Sequence, residues 1–342
     1  MLPTLAVTLA AAHAFSGATR PQNLWTAPRS SAASSAPHLS YHEGRVVGSP
    51  RYHAVYWGGY WNTAAGQAER AYYDAFLRDV SSNLSFASVV FEYSTKSTPL
   101  TAGAFGSSVV DSREPGASVG DNDCDQIVED QIDSGAFPAP DSSNVYAVFL
   151  PPGTQSTQWN GIAGKSCTDY CGYHTAQLFA KGNWILRYIV MPHHDSSCPG
   201  CMYAAFSDGT KEDIGRRSET ITLSHEMAET QTDPDGAVLS LGWFDNSQLS
   251  TGEIGDLCEG TEALVDGYSV QRLWSNQQNT CVATGIASGG SGDGCPVDMH
   301  AEGGYCVPNS PVGCSTGGSG TPALLGLALA AVLLSRRRGE KK

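Results

Sequence analysis

The hydrophobic positions of the chain gather into short apolar runs, separated by polar stretches rich in Gly, Ser, Asn and Pro. Arg51 to Tyr60 (RYHAVYWGGY) collects β-branched and aromatic residues and ends on a Gly pair, which predicts a strand and a turn. From Thr63 to Val80 the period changes. Ala68, Tyr72, Phe76 and Val80 recur every fourth residue, as on one face of an amphipathic helix. Ser143 to Leu150 (SNVYAVFL) and Trp184 to Met191 (WILRYIVM) are apolar runs stopped by proline and predict buried strands. A helix over 219–232 follows, closed at Asp233-Pro234, because proline has no N–H with which to continue the ladder. Tyr268 to Trp274 reads as a late strand, and there is no internal repeat. Strands alternating with few helices predict a single α/β (α+β) domain over 41–284, built on a mixed sheet.

The flanks have a different character. Residues 1–14 carry no charged side chain and end in Ala12-His13-Ala14, the small-x-small pattern of a cleaved signal peptide. Residues 15–40 are rich in Ser, Ala and Pro without periodicity and are expected to form a flexible leader. Residues 285–313 read as a Gly-rich linker in which Cys295 and Cys306 close a small loop. The last stretch, 314–342, opens on Cys314 and CSTGGSG, continues with uninterrupted apolar sequence from Pro322 to Leu334, and ends with Arg336, Arg337, Arg338, Lys341 and Lys342. As a helix that apolar segment would rise only ~20 Å, short of a ~30 Å hydrocarbon core. Basic residues beyond it would hold that end in the cytoplasm and leave the remainder outside. In the order of its parts the tail resembles the myxobacterial C-terminal sorting tail (MYXO-CTERM). The resemblance implies processing at Cys314 by a sorting protease, a transient membrane anchor, and display at the cell surface.

Charge and cysteine content sharpen this picture. The formal net charge is -14, from Lys+Arg 20 against Asp+Glu 34. The tail contributes a basic excess, so the body is more acidic still. Such a balance argues against a nucleic-acid binder, which needs clustered Lys and Arg to displace phosphate counterions. Ten cysteines suit an exported, oxidised chain better than a reducing cytosol. Cys258 and Cys281 bracket a strand region and are expected to pair. Cys167-x-x-x-Cys171 and Cys198-Pro199-Gly200-Cys201 admit either disulfides or a four-thiolate zinc site, with disulfides favoured by the compartment. Setting aside Cys314, nine cysteines leave one odd thiol, expected to be Cys124.

The sharpest chemical signal is Ser224-His225-Glu226-Met227-Ala228-Glu229. On a helix His225 and Glu229, four apart, project from one face and can grip one zinc ion, as in the H-E-x-x-H helix. Glu226 would then act as general base towards metal-activated water, whose pKa the ion lowers towards ~7. A glutamate stands where that motif has its second histidine, and a carboxylate ligand makes zinc a weaker Lewis acid. The third ligand is expected from the acidic stretch Gly252-Glu253-Ile254-Gly255-Asp256-Leu257-Cys258-Glu259. Glu253 is the first choice as ligand and Asp256 as the partner of His225, with the two roles exchangeable. His174 and the His193-His194 pair are weaker candidates. Tyr56, Trp57, Tyr60 and Trp61 form an aromatic group that could stack on sugar rings, although such groups are more often core. There is no G-x-S-x-G elbow, Gly-Lys phosphate loop or Rossmann fingerprint.

Several segments together resemble the phosphate-induced protein / EXORDIUM family of secreted proteins. They are Tyr41-His42-Glu43-Gly44, Tyr52 to Trp61, Cys167 to His174 and Cys198 to Cys201. The series continues with the His225 helix ending in Thr232-Asp233-Pro234, Glu253 to Gly260, and Gln271 to Cys281. The resemblance spans about 41–282 and implies an extracellular or wall-associated domain with no settled biochemical activity. The Cys198 to Cys201 segment is one residue shorter than its family counterpart. Taken together, the residues lead to the expectation of a disulfide-stapled, zincin-like domain acting as a secreted zinc-dependent hydrolase on peptide or protein substrates. The competing expectation is a non-enzymatic surface protein that binds cell-wall polysaccharide or a protein partner.

Overall fold

The apolar runs need cover on both faces, and the tertiary structure, a computed structural model, supplies it. It describes residues 37–157, 164–179, 182, 184–235, 241–247, 252–285, 299–302 and 305–308. The expected signal peptide and sorting tail, nearly all of the leader and most of the Gly-rich linker, with Cys295 and Cys314, lie outside the described residues. No helix among the described residues is long and apolar enough to cross a membrane.

Five strands form the main sheet: β2 (Arg51–Trp57), β3 (Ala104–Asp111), β5 (Asn144–Phe149), β7 (Tyr173–Leu178) and β8 (Ile185–Met191). Their order is β3-β2-β5-β8-β7. The first four run parallel, and β7 joins β8 antiparallel at the edge. The sheet is therefore mixed, as expected. Side chains alternate across it with period two. Tyr52, Ala54, Tyr56, Val145, Ala147, Phe149, Ile189 and Met191 enter one core. Val55, Trp57, Tyr146, Val148, Tyr188 and Val190 enter the other. Burial on both faces explains why these strands read as continuous apolar runs.

Helices α1 (Ala64–Ser82), α2 (Leu84–Phe91) and α4 (Lys211–Thr232) contribute to the first core, and α3 (Asp121–Asp133) to the second. Thr63 caps α1 by accepting a hydrogen bond from the N–H of Gly66. The α4 helix begins eight residues earlier than its apolar pattern indicates. Its first turns are polar, but Thr210 accepts from the N–H of Asp213, and Glu212 and Asp213 suit the positive end of the helix dipole. It stops where expected, before Pro234.

Small antiparallel pairs complete the fold. They are β1 (Ser40–Tyr41) with β9 (Trp243–Phe244), and β10 (Glu262–Val265) with β11 (Tyr268–Gln271). The others are β12 (Leu273–Ser275) with β13 (Thr280–Val282), and β14 (Met299–Glu302) with β15 (Tyr305–Pro308). A short parallel pair joins β4 (Ser118–Val119) to β6 (Gln155–Ser156). The expected strand over 268–274 is thus two strands, interrupted at Arg272, each with its own hairpin partner.

Disulfides link Cys167 to Cys198, Cys171 to Cys201 and Cys258 to Cys281. The four cysteines around the β7–β8 hairpin are therefore bonded to one another and do not form a thiolate zinc site. Cys124 is the free cysteine among the described residues and is buried. The aromatic group divides as core rather than as a platform: Tyr56, Trp57 and Trp61 are buried, and only Tyr60 is half-buried.

Candidate metal centre

Most of α4 is polar, yet from Ser218 to Thr232 every side chain is buried. The helix runs between the sheet, where it meets β8 and β7, and the β11 strand on its other side. Its hydroxyls are matched to backbone on that far side: Thr220 donates to the carbonyl of Ser269, and Ser224 accepts from the N–H of Gln271. Buried polar groups are tolerated when so bonded. Inside this helix His225, Glu226 and Glu229 are completely buried, so they are not solvated surface charges.

Two close approaches bring further donors to them. At Gly172 a β-carbon would meet the Thr222 methyl at 2.6 Å, so only glycine lets the chain entering β7 lie this close to α4. Two residues on, His174 pairs in register with Ile189, on the side of the sheet that faces α4. At Gly255 a β-carbon would come within 2.5 Å of His225 Nδ1, so the 252–258 segment passes directly over the imidazole ring. That segment delivers Glu253, fully buried, and Asp256, whose N–H donates to Glu229 Oε1 at 3.1 Å. Gln271 Nε2 donates to the Gly255 carbonyl and holds the pass in place.

The result is one cluster of imidazoles and carboxylates. His225 Nε2 lies 3.0 Å from Glu229 Oε2 and 3.8 Å from Asp256 Oδ1. His174 Nδ1 lies 3.0 Å from Glu226 Oε2 and 3.6 Å from Glu229 Oε2, and its Nε2 lies 3.5 Å from Glu253 Oε1. Burial by itself lowers an imidazole pKa. At His174 the carboxylates of Glu253 and Glu226 outweigh it and hold the ring well above its ordinary value. Four carboxylates against two imidazoles leave the cluster short of positive charge. A proton on His174 meets part of that need, and a divalent cation would meet more.

The donors suit such an ion. His174 Nε2 and Glu226 Oε1 are buried without a hydrogen-bond partner among the described residues. Each such atom costs about 1–3 kcal/mol unless something else satisfies it. Mixed imidazole and carboxylate donors match zinc and its neighbours in the first transition row. His225, Glu229 and Asp256 form one set of converging ligand atoms, and His174, Glu229 and Glu253 form another.

The structure thus brings together His225, Glu226, Glu229, Glu253 and Asp256. It places Asp256, rather than Glu253, beside the His225–Glu229 pair. His174, a weak candidate from sequence, is at the heart of the cluster. No local signal singles it out, because His194 has Cys198 almost as near to it in sequence as His174 has Cys171. His193 and His194 point elsewhere: His193 Nε2 contacts Glu69 Oε2 at 3.0 Å, and His194 Nε2 lies 2.9 Å from the Cys171 carbonyl. Compared with protein-family models, curated proteins and solved structures, the chain has no significant match in any of the three.

Proposed function

We propose that the chain is an exported, surface-displayed zinc-dependent hydrolase acting on peptides. In this reading His225 and Glu229 hold the metal together with Asp256 or Glu253. The observation that carries it is the convergence of these donors from α4 and the 252–258 segment on one buried point, with Glu226 beside them. Zinc at this point would polarise a bound carbonyl and make water a nucleophile near neutral pH. Glu226 then has two distinct oxygens. Oε2 is tied to His174 Nδ1, which orients the carboxylate, while Oε1, 3.9 Å from His225 Nε2, is the oxygen that accepts a proton. Export, signal-peptide cleavage and tail processing at Cys314 belong to the same proposal and rest on the sequence patterns of the two ends.

Metal analysis of protein purified without chelator, in wild type and His225→Ala, is the primary test. Stoichiometric zinc in the former and its loss in the latter is expected; zinc in neither removes the proposal. Glu226→Gln should keep zinc and lower peptide hydrolysis by about 10²–10⁴-fold. Unchanged hydrolysis would remove the catalytic role and leave the metal site standing.

One observation favours a second reading, a structural cation that locks α4 to the 252–258 segment. The ligand side chains are 0–5% exposed, and a substrate needs access to the metal. That reading expects chelation to lower the melting temperature while Glu226→Gln changes nothing. The polysaccharide-binding alternative has less support, because Tyr56, Trp57 and Trp61 are buried in the core.

A further inference from the structure

We propose that this centre holds two divalent cations bridged by the carboxylate of Glu229; the inference rests on the metal-site reading above and extends it. The donors do not form one group. They divide into His225, Glu229 and Asp256 on one hand and His174, Glu229 and Glu253 on the other, with the ligand atoms of each set within 4.8 Å of one another. Glu229 belongs to both: its Oε2 lies 3.0 Å from His225 Nε2, while the second set would use His174 Nε2, on the Glu253 side, because Nδ1 is held by Glu226 Oε2. Bonds of ~2.0–2.2 Å let one zinc-sized ion join donors up to roughly 4 Å apart, close to the span of one set, and the two sets are separate groups of converging atoms. Each set has the same composition, one imidazole and one carboxylate of its own plus the shared Glu229. Two-metal centres place their ions about 3.5–4 Å apart, the spacing a bridging carboxylate spans.

Charge leads to the same count. As metal ligands both imidazoles would be neutral, His174 giving up its proton to the ion, and the carboxylates of Glu226, Glu229, Glu253 and Asp256 would contribute four negative charges from side chains no more than 5% exposed. One divalent ion would balance two of these charges, and burial makes any remaining imbalance costly. Two divalent ions balance all four. Glu226 Oε1, buried and without a hydrogen-bond partner among the described residues, lies 3.9 Å from His225 Nε2 and remains the proton-accepting oxygen beside the first ion. The class of ion is a first-row divalent metal that accepts nitrogen and oxygen ligands, such as zinc, cobalt or manganese.

The test uses the full chain with its disulfides intact, saturated with zinc and then desalted. Metal per chain by mass spectrometry should be two equivalents in wild type and one in His174→Ala. Glu253→Gln, nearly isosteric, should also fall to one and guards against misfolding of the histidine variant; circular dichroism checks both. Manganese-loaded protein should give the electron paramagnetic resonance signature of a spin-coupled pair, with loss of the isolated-ion signal. One equivalent in folded, saturated wild type overturns the second ion and leaves the proposed function intact. No stoichiometric metal overturns both. Two equivalents that survive both substitutions, or two uncoupled manganese ions, overturn the bridged arrangement.

Discussion

Gly255→Ala isolates the contact on which the centre depends. The backbone at Gly255 is helical, with φ -79 and ψ -44, so alanine fits the conformation without strain and the perturbation is purely steric. Its β-carbon would lie 2.5 Å from Nδ1 and 2.8 Å from Cε1 and Cγ of His225. Ordinary contact begins near 3.4 Å, so the ring and the segment must separate by about 0.9 Å. Metal–ligand bonds tolerate only about 0.2 Å, and Asp256, one residue on, moves with the segment. The substitution should therefore weaken zinc binding by about 10–100-fold, the range seen when the support of a ligand is lost. It should also cost about 1–3 kcal/mol in metal-free stability from overpacking. Competition titration against a chromogenic chelator measures the first, and urea denaturation with and without zinc measures the second. A dissociation constant within twofold of wild type, with unchanged stability, would refute the placement of this segment over the His225 ring.

Asp235→Asn should destabilise the protein by about 3–5 kcal/mol in denaturant titrations. Its fully buried carboxylate sits between Arg187 Nε and Arg45 Nη1, each at 2.8 Å, and the change leaves the buried Arg187 uncompensated. Replacing Cys171 and Cys201 together by serine should cost about 3–4 kcal/mol from a loop of 30 residues, and also loosen zinc binding, because this bond anchors the strand that carries His174. The melting temperature should fall between about pH 4 and pH 7 through Asp121 and Asp125, whose pKa values burial raises to about 6 and about 7. The folded state holds those protons where the unfolded chain has lost them, so stability is present at low pH and disappears as pH rises through the folded values. Asp125→Asn should flatten that slope, and an unaltered slope would show that Asp125 is ionised throughout. His194 acts in the opposite sense. Burial lowers it to about 4, so stability is lost as pH falls from about 6.5 towards 4, and His194→Gln should reduce that loss in acid melts.

Much of the centre was legible in the chain itself, because its signals are local. Four-residue spacing puts His225 and Glu229 on one helical face whatever surrounds the helix, and Pro234 ends that helix by its own chemistry. The apolar runs at 144–149 and 185–191 predict doubly covered strands for the same reason. The start of α4 was not legible, since a polar first turn held by a cap carries no apolar period. Nor were β3, whose residues are all exposed or half-buried, and α3, whose first turns are acidic.

Tertiary structure alone decided which side chains complete the cluster. His174 meets Glu226 across 52 positions of sequence, and nothing in its neighbourhood distinguishes it from His193 or His194. It is selected by the side-chain alternation of an edge strand, by glycine at 172, and by the disulfides that press this strand onto α4. The acidic stretch announced a carboxylate beside His225 but not which one, because Glu253 and Asp256 are separated only by how the chain crosses the His225 ring. Ligand chemistry is a property of residue types and survives in sequence. Ligand geometry is a property of distances between elements, and those are set by packing.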